Sequence, residues 1–177
     1  PIHFMPLLQG EPWHYRRRVR LSVLLDSKNR KLNIGLRRKN SQQIIPIEHC
    51  LVLEQPLNDL LPKLTTLFEQ WTTPQQLGHI ELVAADNGIA MLLRHVKNIG
   101  ETDRTLLLRF AEQQQLMLFV QEHDSIEHWH GEQPFYRLDD DLTLQFDIRD
   151  FIQINAQLNR QMIATALDWL ELSQQDH

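Results

Sequence analysis

Residues 16–39 read RRRVRLSVLLDSKNRKLNIGLRRK, and the periodicity of this stretch decides the fold class. Val19, Leu21, Val23 and Leu25 alternate with Arg18, Arg20, Ser22 and Leu24, which is the period of a strand with one buried face. Leu32, Ile34 and Leu36 repeat the alternation, and Asp26-Ser27-Lys28-Asn29 between them supplies turn chemistry. The two runs therefore predict an antiparallel hairpin. A third run, Gln43 to Ile47, is expected to pair beside them, with Pro46 confining it to an edge because proline has no N–H for a ladder.

Outward from the hairpin, the period changes. Leu57, Leu60, Leu61, Leu64, Leu67, Phe68 and Trp71 fall at three- and four-residue steps, predicting a helix from Leu57 to Trp71 with Pro56 at its start. His79–Ala85 and Ile89–His95 flank Asp86-Asn87-Gly88, a strong hairpin signal. A second helix carries Leu106, Leu107, Phe110 and Ala111, with Thr102 or Asp103 as its expected cap. Leu116–Gln121, Phe135–Leu138 and Leu142–Phe146 read as strands, and a last helix runs from Asn155 to Leu172. Hairpins interrupted by helices predict an α+β fold, a mainly antiparallel sheet with helices packed on it.

With 177 residues, 42% of them apolar, the chain is long enough to bury a real core. Apolar runs are too short to span a bilayer, so no membrane partner is expected. A lone cysteine, Cys50, forms no internal disulfide and fits a reducing compartment, which gives the cytoplasm as the expected location. The net charge of -5 conceals a segregation: residues 16–39 hold ten basic residues against Asp26, so this segment is +9 while the rest sums to -14. That asymmetry points to a negatively charged partner.

Four groups carry candidate chemistry. Arg16, Arg17, Arg18, Arg20, Arg37 and Arg38 on a stiff hairpin suit phosphate, since the planar guanidinium binds phosphate oxygens in pairs; a solvated strand face is the plain alternative. His123, His128 and His130 could supply imidazoles to a zinc or iron ion, but their spacing matches no specific metal motif and the plain reading is surface loop residues. Cys50, after Glu48-His49, lies at a strand-to-helix junction and reads either as a small buried residue or as one ligand of a larger set. The run Arg149-Asp150-Phe151-Ile152-Gln153-Ile154-Asn155 opens the last helix, with Asn155 as N-cap, and reads either as a capped helix packed on the sheet or as a ligand site at the helix start.

Several of these segments together resemble a family. Trp13-His14-Tyr15-Arg16-Arg17-Arg18-Val19-Arg20-Leu21, Gly35-Leu36-Arg37, Ile47-Glu48-His49-Cys50, Gly78-His79-Ile80-Glu81-Leu82-Val83 and Arg149-Asp150-Phe151-Ile152-Gln153-Ile154-Asn155-Ala156 are similar, in order, to the ribosomal RNA uracil-5-methyltransferases of the RlmD/RumA type. The resemblance implies an enzyme that uses S-adenosylmethionine to form 5-methyluridine in 23S ribosomal RNA, through addition of a cysteine to uracil C6 after the base is flipped out.

The resemblance further implies that this chain is a piece of such an enzyme. Residues 1–9 would be linker, 10–148 the central domain, and 149–177 the start of a Rossmann-like methyltransferase domain, so the piece alone is expected to be inactive and to hold no catalytic residue. By the same resemblance Cys50 matches one ligand of a 4Fe-4S cluster, Gln153 the glutamine at the S-adenosylmethionine site, and Phe151 the aromatic beside the target base. Neither cofactor is expected on this piece by itself. The implied partner is 23S ribosomal RNA rather than DNA; the whole enzyme is expected to be a monomer, with self-association of the piece left open. A stand-alone RNA-binding module built on the basic hairpin is the alternative.

Overall fold

The computed structural model describes residues 5–26, 28–138 and 142–171. The turn residue Ser27, the expected helix end at Leu172, and the outermost parts of the linker and of the 149–177 unit lie outside the described residues. Thirteen-residue and longer helices alternate with strands as the periodicity requires. In chain order the regular elements are β1 (Arg18–Leu25), β2 (Leu32–Arg37), β3 (Ile44–Pro46), α1 (Gln55–Glu69), β4 (Leu77–Ala85), β5 (Gly88–His95), α2 (Glu101–Gln113), β6 (Leu116–Glu122), β7 (Ser125–His130), β8 (Phe135–Arg137), β9 (Thr143–Gln145) and α3 (Ala156–Leu170).

β1 to β7 form one sheet in the order β3-β2-β1-β4-β5-β6-β7, and β8 pairs with β9 in a separate ribbon. Every neighbouring pair is antiparallel except β5–β6, which is parallel because α2 carries the chain across between them. The α+β expectation with a mainly antiparallel sheet holds. β1 alternates as its sequence demands, with Val19, Leu21 and Val23 buried. β5 departs from alternation, Ala90, Met91, Leu92 and Leu93 all being buried, because both faces of the sheet centre are covered.

On one face α1 and α2 bring Leu57, Leu64, Phe68 and Leu107 against Leu21, Ile80, Leu82, Met91 and Leu118. On the other, Phe146, Ile148 and Ile152 cover Val83, Ala90, Leu92, Met117 and Phe119. The β4–β5 turn attaches this second cover: Asp86 N–H donates to the Phe135 carbonyl at 2.9 Å, its carboxylate accepts from Arg137 N–H at 2.8 Å, and Asn87 Oδ1 accepts from Phe135 N–H at 3.1 Å. Ala85 pairs with Gly88, so Asp86-Asn87 is the two-residue turn and Gly88, with φ of 135°, opens β5.

Three sequence expectations are corrected. α2 starts at Glu101 behind Gly100, and neither Thr102 nor Asp103 caps it. Asp103 is buried instead, accepting from the Thr72 backbone N–H at 3.0 Å and the Thr72 hydroxyl at 2.7 Å, so a distant segment captures the side chain that the local rule assigned to a cap. The histidine run, read as loop, is largely strand β7: Phe119 stacks on His128 across the β6–β7 pair, and the Arg104 guanidinium lies 4.4 Å from the Trp129 ring centre, joining β7 to α2. As expected, Asn155 caps α3, its side chain accepting from Leu158 N–H at 2.9 Å, yet no residue of α3 is buried. No helix among the described residues is long and apolar enough to cross a membrane.

Edge strand β3 sits on β2 so closely that Gly35 leaves no room for a side chain. A Cβ there would lie 1.9 Å from the Ile45 carbonyl oxygen and 2.9 Å from Pro46 Cα, both backbone atoms that cannot rotate away. Gly35→Ala is expected to lift β3 off the sheet and cost roughly 1–3 kcal/mol, the usual range for overpacking. Urea unfolding measures it; a loss below about 0.5 kcal/mol, the scale of neutral surface changes, would refute the close packing.

Candidate functional site

The segment His14 to Arg18 enters the sheet between two irregular stretches and holds both. On one side, His14 N–H donates to Leu51 O at 2.9 Å, Arg16 N–H donates to Val52 O at 2.8 Å, and Glu54 N–H donates to Arg16 O at 2.9 Å. On the other, Arg17 N–H donates to Ile154 O at 2.9 Å. The Arg17 carbonyl then accepts from Ala84 N–H at 2.8 Å, tying the same segment to β4.

The arginine side chains complete the clamp. Residues 148–154 lie in no strand or helix, so their carbonyls need partners from elsewhere. Arg17 Nε donates to Gln153 O at 2.8 Å, Arg18 donates to Ile148 O at 3.0 Å and also to Asp150 O, and Arg16 Nε donates to Arg18 O at 2.9 Å. The expected outward reach of all three is thereby corrected. Arg17 is 5% exposed, its guanidinium 5.4 Å from the Tyr136 ring centre, and Arg16 and Arg18 are half-buried. Burial pushes the Arg17 guanidinium down from its ordinary value, with the Asp86 and Glu54 carboxylates opposing that shift; burial likewise pushes the Glu54 carboxyl up. Arg20, Arg37 and Arg38 do face solvent.

What the clamp presents is the pair Phe151 and Gln153. Ile152 between them is buried at 5% exposure while Phe151 is 83% exposed and Gln153 is exposed, the alternation of an extended chain anchored through its middle residue. Gln153 borders a cleft of ≈ 390 Å³ shared with Gly10, Tyr15, Asn155, Leu158 and Met162. Phe151 and Gln153 thus stand next to one another, while Cys50 lies across the Arg16 segment.

Cys50 is held with equal care. Buried Asn58 of α1 accepts from Cys50 N–H at 2.8 Å through Oδ1 and donates through Nδ2 to Cys50 O at 2.8 Å and Leu53 O at 3.0 Å, so one amide satisfies the turn before the helix. The thiol is half-buried against the core. A 4Fe-4S cluster takes four thiolates, and with one cysteine the chain's own donors do not fit such a group. The histidines do not converge: His123 bonds Asn98 at 2.9 Å, His128 bonds the His130 carbonyl at 2.9 Å and His130 the Leu116 carbonyl at 2.9 Å. Among the described residues no group of three or more His, Cys, Asp or Glu side chains is placed to hold an ion.

Sequence reading gave no role to Glu81, His79 or Asn58. Glu81 lies opposite Arg20 in the β1–β4 register and pairs with Arg18 at 2.9 Å, with Arg20 Nε at 3.9 Å and His79 Nε2 at 3.5 Å from its other oxygen. The available signal was the alternation in β4, where His79 and Glu81 are the polar members on the face opposite Ile80 and Leu82.

No family model matches the chain. A Pasteurella multocida protein named 23S rRNA (uracil(1939)-C(5))-methyltransferase RlmD is 60% identical over 174 residues, covering 98% of this chain and 40% of that protein. A Haemophilus influenzae protein of the same name is 58% identical over 176 residues, 99% of this chain and 40% of its own length, and one from Photobacterium profundum is 47% identical over 172 residues, 97% of this chain and 36% of its own. The chain therefore spans about 40% of the length of the first curated relatives it matches. Among solved structures, Pyrococcus abyssi tRNA (uracil-54, C5)-methyltransferase in complex with S-adenosyl-L-homocysteine superposes with a TM-score of 0.67 at 16% identity, over 89% of this chain and 42% of that one, which shows a shared fold.

The Glu81 carboxyl is held down at about 2, from an ordinary 4.5, chiefly by the hydrogen bond to His79 and then by Arg18, against the opposing effect of burial. A depressed carboxylate contributes stability that is fully present above its unfolded value and is lost as pH falls through the folded one. Wild-type stability is expected to decline by up to about 3 kcal/mol between pH 5 and pH 2 from this group. Glu81→Gln should flatten that part of the pH–stability curve; an unchanged slope in urea titrations across this window would contradict the assignment.

Proposed function

We infer that this chain belongs to the RNA uracil-5-methyltransferases and forms the middle portion of a longer enzyme that methylates C5 of a uridine in 23S ribosomal RNA with S-adenosylmethionine as donor. The observation that carries the reading is 60% identity over 98% of the chain to a protein of that name. The site geometry supports it: an exposed aromatic and an exposed amide are presented by a stretch whose Ile148, Asp150, Gln153 and Ile154 carbonyls are held by Arg17 and Arg18. In this reading residues 1–9 are linker, 10–148 form the central domain, and 149–177 begin the domain that binds the methyl donor.

Roles follow from what each side chain is free to do. Phe151, exposed and anchored through Ile152, offers an aromatic face to a uracil drawn out of its stack, which chemistry on a base requires. Gln153 offers side-chain amide hydrogen bonds beside the donor, and its backbone carbonyl is kept in place by Arg17. S-adenosylmethionine supplies the methyl group. The nucleophilic cysteine that adds to C6 and the base that removes the C5 proton would come from other parts of the longer protein. Cys50 is proposed as the one thiolate this chain contributes to a 4Fe-4S cluster, its position set by Asn58. Arg20, Arg37 and Arg38 are exposed and can turn to phosphate, whereas Arg17 and Arg18 act through the segment they hold and Arg16 bonds the Arg18 carbonyl. A cytoplasmic location is part of this reading, since ribosomal RNA is its substrate.

The test uses the full-length protein containing this chain, a 23S rRNA transcript and radiolabelled S-adenosylmethionine. Wild type is expected to transfer methyl groups to uridine C5 and residues 1–177 alone to transfer none. In the full-length protein Phe151→Ala and Gln153→Ala should each lower kcat/KM at least about tenfold, a loss of about 1.4 kcal/mol of transition-state stabilisation. Absence of transfer by the intact protein, or transfer by the piece alone, would overturn the reading.

A further inference from the structure

The second cover of the sheet, Phe146 to Ile152, protects only part of its face, and the uncovered part has a charge pattern of its own. Ser22 pairs with Gly35, and Arg20 and Arg37 each lie two residues beyond that pair, so both return to the same face. Arg20 donates to His79 Nδ1 at 3.1 Å. A bulge then sets Gly78 and His79 opposite Arg94: Leu77 pairs with His95 and Ile80 with Leu93, leaving two residues against one. The Arg94 stem lies across Gly78, where a Cβ would be 3.2 Å from the Arg94 carbonyl oxygen and 3.4 Å from its Cγ.

Guanidinium cations therefore stand on three strands, β2, β1 and β5, with the buried imidazole of His79 on β4 between them. Glu81 is the acid beneath them and is already engaged by Arg18 at 2.9 Å. Among the described residues neither Arg37 nor Arg94 has a carboxylate partner, and both are exposed. Two strands further on, about 10 Å away, the same face ends in a stack: the rings of buried Phe119 and exposed His128 lie 4.4 Å apart at 14°. Phe119 stacks on the imidazole from the neighbouring strand, and His128 is itself exposed.

We propose that this strip, from Arg37 across Arg20 and Arg94 to His128, is a docking track for single-stranded RNA. Arginine forks take the phosphates, and the supported imidazole takes one base by stacking, the combination by which single strands are held without sequence readout. An acidic peptide would use the cations and leave the stacked ring without purpose. The track is continuous with the Phe151 segment, because Arg18, two residues from Arg20 on the same face, donates to the Ile148 and Asp150 carbonyls. The inference rests on the RNA methyltransferase reading and adds to it where the transcript lies outside the reacting uridine.

The experiment measures binding of a labelled 23S rRNA transcript to the full-length protein at several salt concentrations, with methyl transfer assayed in parallel and thermal melting as a fold check. Arg94→Gln is expected to weaken binding at least about threefold and to reduce the salt slope by about 0.7, the value for one phosphate contact to a single strand; Arg94→Lys should retain most of the affinity. His128→Ala should lose at least about fivefold and His128→Phe should recover it, as stacking requires. Normal melting with unchanged affinity and slope in Arg94→Gln and His128→Ala overturns the track while methyl transfer by wild type leaves the enzymatic reading standing. Weakened binding of a poly-glutamate probe with RNA affinity unchanged overturns it in favour of an acidic protein partner. A wild type that neither binds the transcript nor methylates it removes both.

Discussion

The carbonyls of residues 148–154 have no strand or helix of their own to bond them, and the structure depends on the arginines that answer them. Arg17 Nε reaches Gln153 O, Arg17 N–H reaches Ile154 O, and Arg18 reaches Ile148 O. Because buried backbone acceptors without partners cost more than most side-chain contacts return, this small set of bonds decides where the extended segment runs. Phe151 and Gln153 then face outward through simple alternation about Ile152. The same residues enter β1 and pair with β4, so the segment is registered directly against the sheet.

Covering both faces of one sheet creates a division of labour. The helical side, with α1 and α2 over the long strands, is a conventional apolar core. The other side is only partly roofed, by β8, β9 and residues 146–152, and its remainder carries Arg20, His79 and Arg94. Glu81 is the electrostatic keystone between the two parts. It compensates Arg18 as that side chain turns toward the backbone carbonyls, and its own ionisation is secured by His79 and Arg18.

Much of this was readable in the sequence and some was not, for reasons that differ by element. β1, β2, β3 with its edge proline, α1 and the Asn155 cap all follow from local period or local chemistry, and each appears close to its expected bounds. β7 was missed because an edge strand, half-exposed and rich in polar residues, shows no alternation; what makes it a strand is pairing with β6. Asp103 was assigned to a cap because the cap rule sees only neighbours, and the Thr72 that captures it is thirty-one residues away. The arginines were read as one cationic group, yet three of them serve the backbone, a distinction that charge counting cannot make.

The sequence by itself determined the class of the fold, the order of its elements and the location of excess positive charge, and its resemblance to a family nominated Cys50, Phe151 and Gln153 as candidates. These are properties of spacing and composition, which survive without coordinates. Tertiary structure alone decided which arginines are spent on backbone carbonyls and which stay exposed, that Asn58 secures the Cys50 turn, and that a bulge sets Gly78 and His79 opposite Arg94 while Arg20 bonds His79. Each of those outcomes is a pairing between segments distant in the chain, and the competition among possible partners for one donor or acceptor is settled only when the sheet brings them within reach.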